Sequence, residues 1–184
     1  MNTFNTYKMD ERKYCDYKDY YDLFDRIGKG AFGIIYKGRE KETKKDVAIK
    51  EIEFEQMEQN ILLEYGPDNL EKELEKQKDG LIKEFEIMKM CSENNINSLK
   101  CYEYFVRNES FVMVMELCDM NLAKLLIEKI KNEKRGFNSD ELLEIMNQLN
   151  KAFKVMREKK IIHRDLKLEN ILIKYEDKEK KKYT

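Results

Sequence analysis

The sequence predicts an α+β protein in two parts: a five-stranded antiparallel sheet with one helix, followed by a mainly helical region. Short segments rich in aromatic and β-branched residues recur from Tyr20 to Ile52 and again from Lys100 to Leu117. Between them, Leu81, Phe85 and Met88 recur at i, i+4 and i+7, the signature of one amphipathic helix. Two more helical patterns follow, Asn121 to Lys134 and Ser139 to about Lys159.

The first strand is expected over Tyr20 to Ile27, where loose alternation ends at a glycine cluster. Ile34-Ile35-Tyr36 begins a second strand, and a charged turn from Arg39 to Lys45 leads into a third, Asp46 to Ile52. Residues from Glu53 to Gly80 are rich in Glu and Lys and broken by Gly66-Pro67, which predicts a loop or surface insertion with some local helix. The amphipathic helix that follows can begin as early as Asn69. Lys100 to Val106 and Ser110 to Leu117 form the last two strands, with a polar turn at Asn108-Glu109.

In the second part, Arg135-Gly136 ends one helix and Ser139, followed by Asp140 and Glu141, marks the capped start of the next. Leu142, Ile145, Leu149, Phe153 and Met156 make an apolar stripe on it. Lys174 to Thr184 is charged and expected to contribute no core. The expected organisation is an N-terminal extension (1–19), a first lobe (20–117, with the insertion at about 53–80) and the beginning of a second lobe (118–184).

Composition narrows the functional classes. Although 40% of the 184 residues are charged, eleven Tyr and nine Phe argue for a packed core rather than a disordered polyelectrolyte. Lys and Arg total 36 against 37 Asp and Glu, a net charge of -1, so no long-range field draws in nucleic acid or an anionic membrane. Cys15, Cys91, Cys101 and Cys118 form no Cys-x-x-Cys pair, which points to reduced thiols and excludes a structural zinc site. No signal-peptide core is present, and the longest apolar run, Phe111 to Met115, is too short for a membrane span. A cytoplasmic or nuclear location is expected on these grounds.

The sharpest feature of the first part is Ile27-Gly28-Lys29-Gly30-Ala31-Phe32-Gly33-Ile34-Ile35. A Gly-x-Gly-x-x-Gly run also fits a dinucleotide-binding turn, but that turn leads into a helix, whereas this one leads into a strand. A glycine hairpin brings backbone amides close to phosphate oxygens because no Cβ intervenes. The third strand, Val47-Ala48-Ile49-Lys50, places Val47 and Ile49 on one face and Ala48 and Lys50 on the other. A small residue and a cation therefore share the face that the hairpin covers, and the cation can pair with phosphate.

The glycine run, Val47-Ala48-Ile49-Lys50, and His163-Arg164-Asp165-Leu166-Lys167-Leu168-Glu169-Asn170 together resemble the eukaryotic protein kinase family, in its order and over roughly Tyr20 to Lys174. The resemblance implies ATP and magnesium as cofactors and a protein serine or threonine as substrate. It also implies a glutamate partner for Lys50 from the following helix. Glu84 lies beside Leu81 and Met88 on the expected buried stripe, and Glu86 lies between Lys83 and Lys89, so Glu84 is the choice. By the same resemblance, the backbone of Glu116 and Cys118 meets the adenine edge beside the gatekeeper Met115, and Ile35, Ala48 and Leu172 clamp the adenine faces. His163, the one histidine, is expected in an internal apolar column with Met88.

In that family the residue equivalent to Asp165 orients the substrate hydroxyl and accepts its proton, and the one equivalent to Asn170 holds a magnesium ion. Lys167 offers a cation for the transferring phosphoryl group, and its position resembles the serine/threonine rather than the tyrosine kinases. The family's Asp-Phe-Gly segment, which supplies the other magnesium ligand, is not found between Asn170 and Thr184. The expectation is therefore of little or no phosphotransfer by these 184 residues, and of an exposed apolar patch on the helix from Ser139 that lowers solubility. The alternative is a noncatalytic kinase-like module that binds nucleotide or acts as a scaffold. A dinucleotide-binding oxidoreductase conflicts with the strand after the glycine run.

Overall fold

The computed structural model describes residues 11–30, 33–107, 109–177 and 182–183. They divide into two compact units, Met1–Leu81 with Glu103–Val114, and Ile82–Tyr102 with Met115–Thr184. The five expected strands are present: β1 (Tyr21–Gly30), β2 (Gly33–Glu40), β3 (Asp46–Glu53), β4 (Cys101–Val106) and β5 (Ser110–Glu116). They form one antiparallel sheet in the order β1-β2-β3-β5-β4.

In the first unit, alternation and backbone approach set the sheet. Val47 and Ile49 are almost completely buried, and every residue of β5 up to Met115 is buried. The β2–β3 hairpin pairs Arg39 with Asp46, whose side chains bond at 2.6 Å across the strands, with Lys37 3.3 Å from the same carboxylate. Gly33 answers to a steric requirement. A Cβ there would lie 2.2 Å from the Glu51 carbonyl oxygen of β3.

Residues before β1 dock onto this unit through aromatic side chains. Tyr17, in a 3-10 turn over Tyr17–Asp19, is fully buried, and its hydroxyl donates to Glu51 Oε2 at 3.3 Å. Burial and the neighbouring Glu51 carboxylate both push this phenol's pKa well above its ordinary value. Tyr20 stacks on the buried Phe105 ring, and Tyr21 meets that ring edge-on, each with centroids about 6 Å apart. Arg107 closes the contact with an ion pair to Asp16 at 3.0 Å.

The stretch expected to be a loop or surface insertion with some local helix begins with a regular helix of 12 residues, α1 (Phe54–Tyr65). Phe54, Met57 and Ile61 are buried at i, i+3 and i+7, so three apolar residues on one face suffice to dock it despite the charged composition. The Phe54 amide donates to the Glu109 carbonyl at 2.8 Å, and Lys78 Nζ lies 4.3 Å from the Phe54 ring centroid. Gly66, at φ 75°, ends α1, and Pro67 opens a 3-10 turn before α2 (Leu70–Ser92). Leu81 and Phe85 are buried and Met88 is half-buried, whereas Glu84 is exposed. The expectation of Glu84 on the buried stripe is corrected: it is exposed, at the margin of the stripe that Leu81 and Phe85 bury.

In the second unit, α3 (Leu122–Glu133) and α4 (Ser139–Glu158) follow β6 (Met120–Asn121). Asn121 caps α3 by accepting the Lys124 amide at 2.8 Å. The cap of α4 is Asn138, not Ser139. Asn138 Oδ1 accepts the Glu141 amide at 2.9 Å while Glu141 accepts the Asn138 amide at 2.8 Å, a reciprocal capping box. Glu141 also accepts from Lys129 at 2.7 Å and Arg135 at 2.9 Å. These partners, Arg135 foremost, hold its pKa down at about 2.

β6 pairs antiparallel with β7 (Leu172–Ile173), and β8 (Tyr175–Asp177) pairs with β9 (Lys182–Tyr183). Leu122, Ile145 and Ile173 form a buried cluster, with Met120, Leu125, Phe137, Leu149, Ile171 and Tyr175 against it. Tyr175 thus contributes to packing in a segment expected to add none, because pairing of β6 with β7 draws it inward. The expected stripe of α4 is divided: Ile145 is buried, Leu149, Phe153 and Met156 are half-buried, and Leu142 is exposed beside Leu143 and Met146. Among the described residues no helix is long and apolar enough to cross a membrane.

Gly33→Ala is expected to lower stability by about 1–3 kcal/mol, because the methyl meets backbone rather than a movable side chain; urea denaturation monitored by circular dichroism checks this. For Glu141, the folded-state pKa lies below the ordinary 4.5, so its network stabilises the fold above that pH, and the contribution disappears as pH falls from 4.5 to about 2. Accordingly, Glu141→Gln should melt below the wild type at neutral pH, with the gap in Tm closing across that window.

Candidate active site

The residues expected to face phosphate lie in the first unit, on the β1–β2 hairpin and β3. Gly30 pairs with Gly33, Lys29 with Ile34, and Gly28 with Ile35, while Ala31 and Phe32 lie outside the described residues. Irregular pairing before Gly28 bends β1. Ile35 stands opposite Lys50 in the β2–β3 register, and Ala48 lies two residues from Lys50, so these three side chains share one face. Ala48 is buried, Ile34, Ile35 and Lys50 are half-buried, and Ile27 is half exposed. The glycines divide the work. Gly33 admits the β3 backbone, whereas a Cβ on Gly28 would make only ordinary contact with Ile35 at 3.6 Å.

The second unit carries the acid and its neighbours. Ile161 donates its amide to the Met156 carbonyl at 2.8 Å, closing α4, and residues 162–170 run exposed along the surface. Arg164 adopts φ 65°, a left-handed conformation uncommon for a residue with a side chain, and so turns the chain immediately before Asp165. A 3-10 turn over Leu168–Asn170 then folds back. Asn170 Nδ2 donates to the Asp165 carboxylate at 2.8 Å and to the Asp165 carbonyl at 2.9 Å, and Lys167 Nζ lies 2.9 Å from the same carboxylate.

Three predicted residues, Asp165, Lys167 and Asn170, thus meet within one loop. The Lys167 ammonium, then the Asn170 amide, hold the Asp165 carboxyl below its ordinary pKa. Because Asn170 spends its nitrogen on Asp165, its Oδ1 remains as the atom suited to a hard cation, which fits a magnesium site completed by phosphate oxygens. His163 departs from expectation. It is exposed rather than in an apolar column with Met88, because the whole loop is solvated, and its Nδ1 accepts the Asp165 amide at 3.4 Å.

The residues expected at the adenine edge, Met115, Glu116 and Cys118, lie at the end of β5 and just after it. Met115 is buried, and burial, reinforced by the Glu116 charge, pushes the half-buried Cys118 thiol up to about 11. Leu172 is exposed at the start of β7. Sequence reasoning missed two residues here. Lys174 makes an ion pair with Glu116, and Asp119 Oδ2 accepts the Tyr175 amide at 2.9 Å. No periodicity announces a pair separated by 58 positions.

Lys167→Met and Asn170→Ala should each raise the Asp165 titration midpoint, the lysine variant by more; carbon-13 NMR of the aspartate carboxyl across pH is the measurement.

The protein kinase domain family matches residues 21–182. The chain is 28% identical over 162 residues to cyclin-dependent kinase-like 1 of Caenorhabditis elegans, covering 88% of this chain and 40% of that protein. It is 33% identical over 157 residues to human serine/threonine-protein kinase Nek5, covering 84% of this chain and 19% of that protein. With a probable serine/threonine-protein kinase, fhkB of Dictyostelium discoideum, identity is 32% over 162 residues, or 88% of this chain and 12% of that protein. The chain therefore spans well under half the length of these relatives. With the glycine hairpin, Lys50 and the Asp165 loop in the order this family uses, the chain belongs to the protein kinase family.

Proposed function

We propose that this chain carries the nucleotide-binding and phosphoryl-transfer residues of an ATP-dependent protein serine/threonine kinase. The observation that carries the reading is the Asp165 carboxylate held between Lys167 Nζ at 2.9 Å and Asn170 Nδ2 at 2.8 Å. A carboxylate with a lowered pKa is a weak base for an alcohol, so Asp165 first orients the serine or threonine hydroxyl and takes its proton late. Lys167 can release Asp165 to face the negative charge on the transferring phosphoryl group. Lys50 and the amides of the glycine hairpin bind the ATP phosphates, and the backbone of Glu116 and Cys118 reads the adenine edge. Glu84 is the proposed partner of Lys50. Ile35, Ala48 and Leu172 flank the base.

Magnesium, when bound, would supply neutralising charge on the phosphates, and Asn170 Oδ1 is the atom of this chain that would hold it. The alternative outcome of the tests below is a nucleotide-binding module without phosphotransfer.

Two measurements separate the readings. ATP with magnesium should raise the Tm of the wild type and leave Lys50→Met unchanged; no shift in the wild type, or an equal one in both, overturns the proposed nucleotide site. Transfer of labelled phosphate to a serine peptide but not a tyrosine peptide, reduced roughly 100-fold or more by Asp165→Ala, supports the kinase. ATP binding without any transfer leaves the nucleotide site standing and removes phosphotransfer from these 184 residues.

A further inference from the structure

Residues 116–119 are joined to residues 173–175 at three points. The Asp119 amide donates to the Ile173 carbonyl at 2.8 Å, the Asp119 carboxylate accepts the Tyr175 amide at 2.9 Å, and Lys174 Nζ pairs with the Glu116 carboxylate. The two backbone contacts flank Lys174, fixing the point from which its side chain reaches out. The Glu116 side chain is 12% exposed, so its charge is largely withdrawn from water and depends on Lys174 for a partner. Tyr102 and Cys118 also lie near the Lys174 ammonium. The Glu116 amide meanwhile donates to the Lys100 carbonyl at 2.9 Å, so this residue is held through its backbone on one side and its carboxylate on the other.

We infer that Lys174 is a positioning residue for nucleotide recognition: its ion pair with Glu116 clamps the 116–119 backbone in the conformation that reads the adenine edge. The inference rests on the adenine assignment proposed above and adds the side chain that enforces it. Neither Lys174 nor the Glu116 carboxylate touches the base, since recognition there runs through backbone groups. Preorganising that backbone lowers the ordering cost of binding, so loss of the clamp appears as weaker affinity.

The test compares wild type, Lys174→Met, Glu116→Lys and the charge-swapped double variant Glu116→Lys/Lys174→Glu by ATP titration calorimetry and by amide hydrogen exchange of residues 116–120 in the free chain. Each single variant should bind ATP about threefold to fivefold more weakly and exchange faster in 116–120, and the double variant should recover both properties. Unchanged exchange in Lys174→Met overturns the clamp. Faster exchange with wild-type affinity overturns its role in nucleotide binding. If the wild type binds no ATP, the adenine assignment falls and takes the proposed role with it, a result distinct from equal binding by wild type and Lys174→Met. Single variants that remain weak when combined also count against the pair, since a merely damaged fold is not rescued by reversing both charges.

Discussion

Four residues, Met120 and Asn121 paired antiparallel with Leu172 and Ile173, tie the second unit together. The pairing fixes the start of α3, because Leu122 donates its amide to the Ile171 carbonyl at 2.8 Å while Asn121 caps the helix. It buries Ile173 against Leu122 and Ile145 and draws Tyr175 to the same core. The loop bearing Asp165 and the segment from Glu116 to Asp119 are then anchored at one short ladder. Two-residue strands are weak alone, and this one persists because each side chain that can turn inward adds apolar burial.

In the first unit the governing constraint is close backbone approach. Gly33 leaves no room for a side chain against the Glu51 carbonyl, which assigns a packing duty to a residue that the glycine motif suggests is there for phosphate. The same strand, β3, also supplies Glu51 to the buried Tyr17 hydroxyl and places Lys50 opposite Ile35. One strand therefore joins the docking of the N-terminal segment to the face that carries the cation. Phe105 completes this arrangement as the shared neighbour of Tyr17, Tyr20 and Tyr21.

Charge is abundant, yet only a few charged groups define structure. Arg135 and Lys129 converge on Glu141, which is already committed to the α4 cap, so one carboxylate couples two helices and a turn. Asp165 is bound by its own loop partners, Lys167 and Asn170, and stays exposed. The difference matters chemically. Glu141 is enclosed by its partners and serves the fold, whereas Asp165 stays exposed with the Lys167 ammonium beside it.

The strands, the amphipathic helix α2, which begins at Leu70 beside the earliest expected position Asn69, and both C-terminal helices are legible because their apolar residues recur with the period of the element they form. The order of the glycine run, Lys50 and the Asp165 loop was equally legible, since a motif is a local property of the chain. Other features came only from tertiary structure. The burial of Phe54, Met57 and Ile61, which docks α1 in a stretch the sequence marks only as charged with some local helix, is one of them. The exposure of Glu84 and His163, the choice of Asn138 as the cap and the pairing of Lys174 with Glu116 depend on what stands nearby in space. Periodicity assigns a face to a side chain but does not say whether anything covers that face, nor which distant charge will meet it.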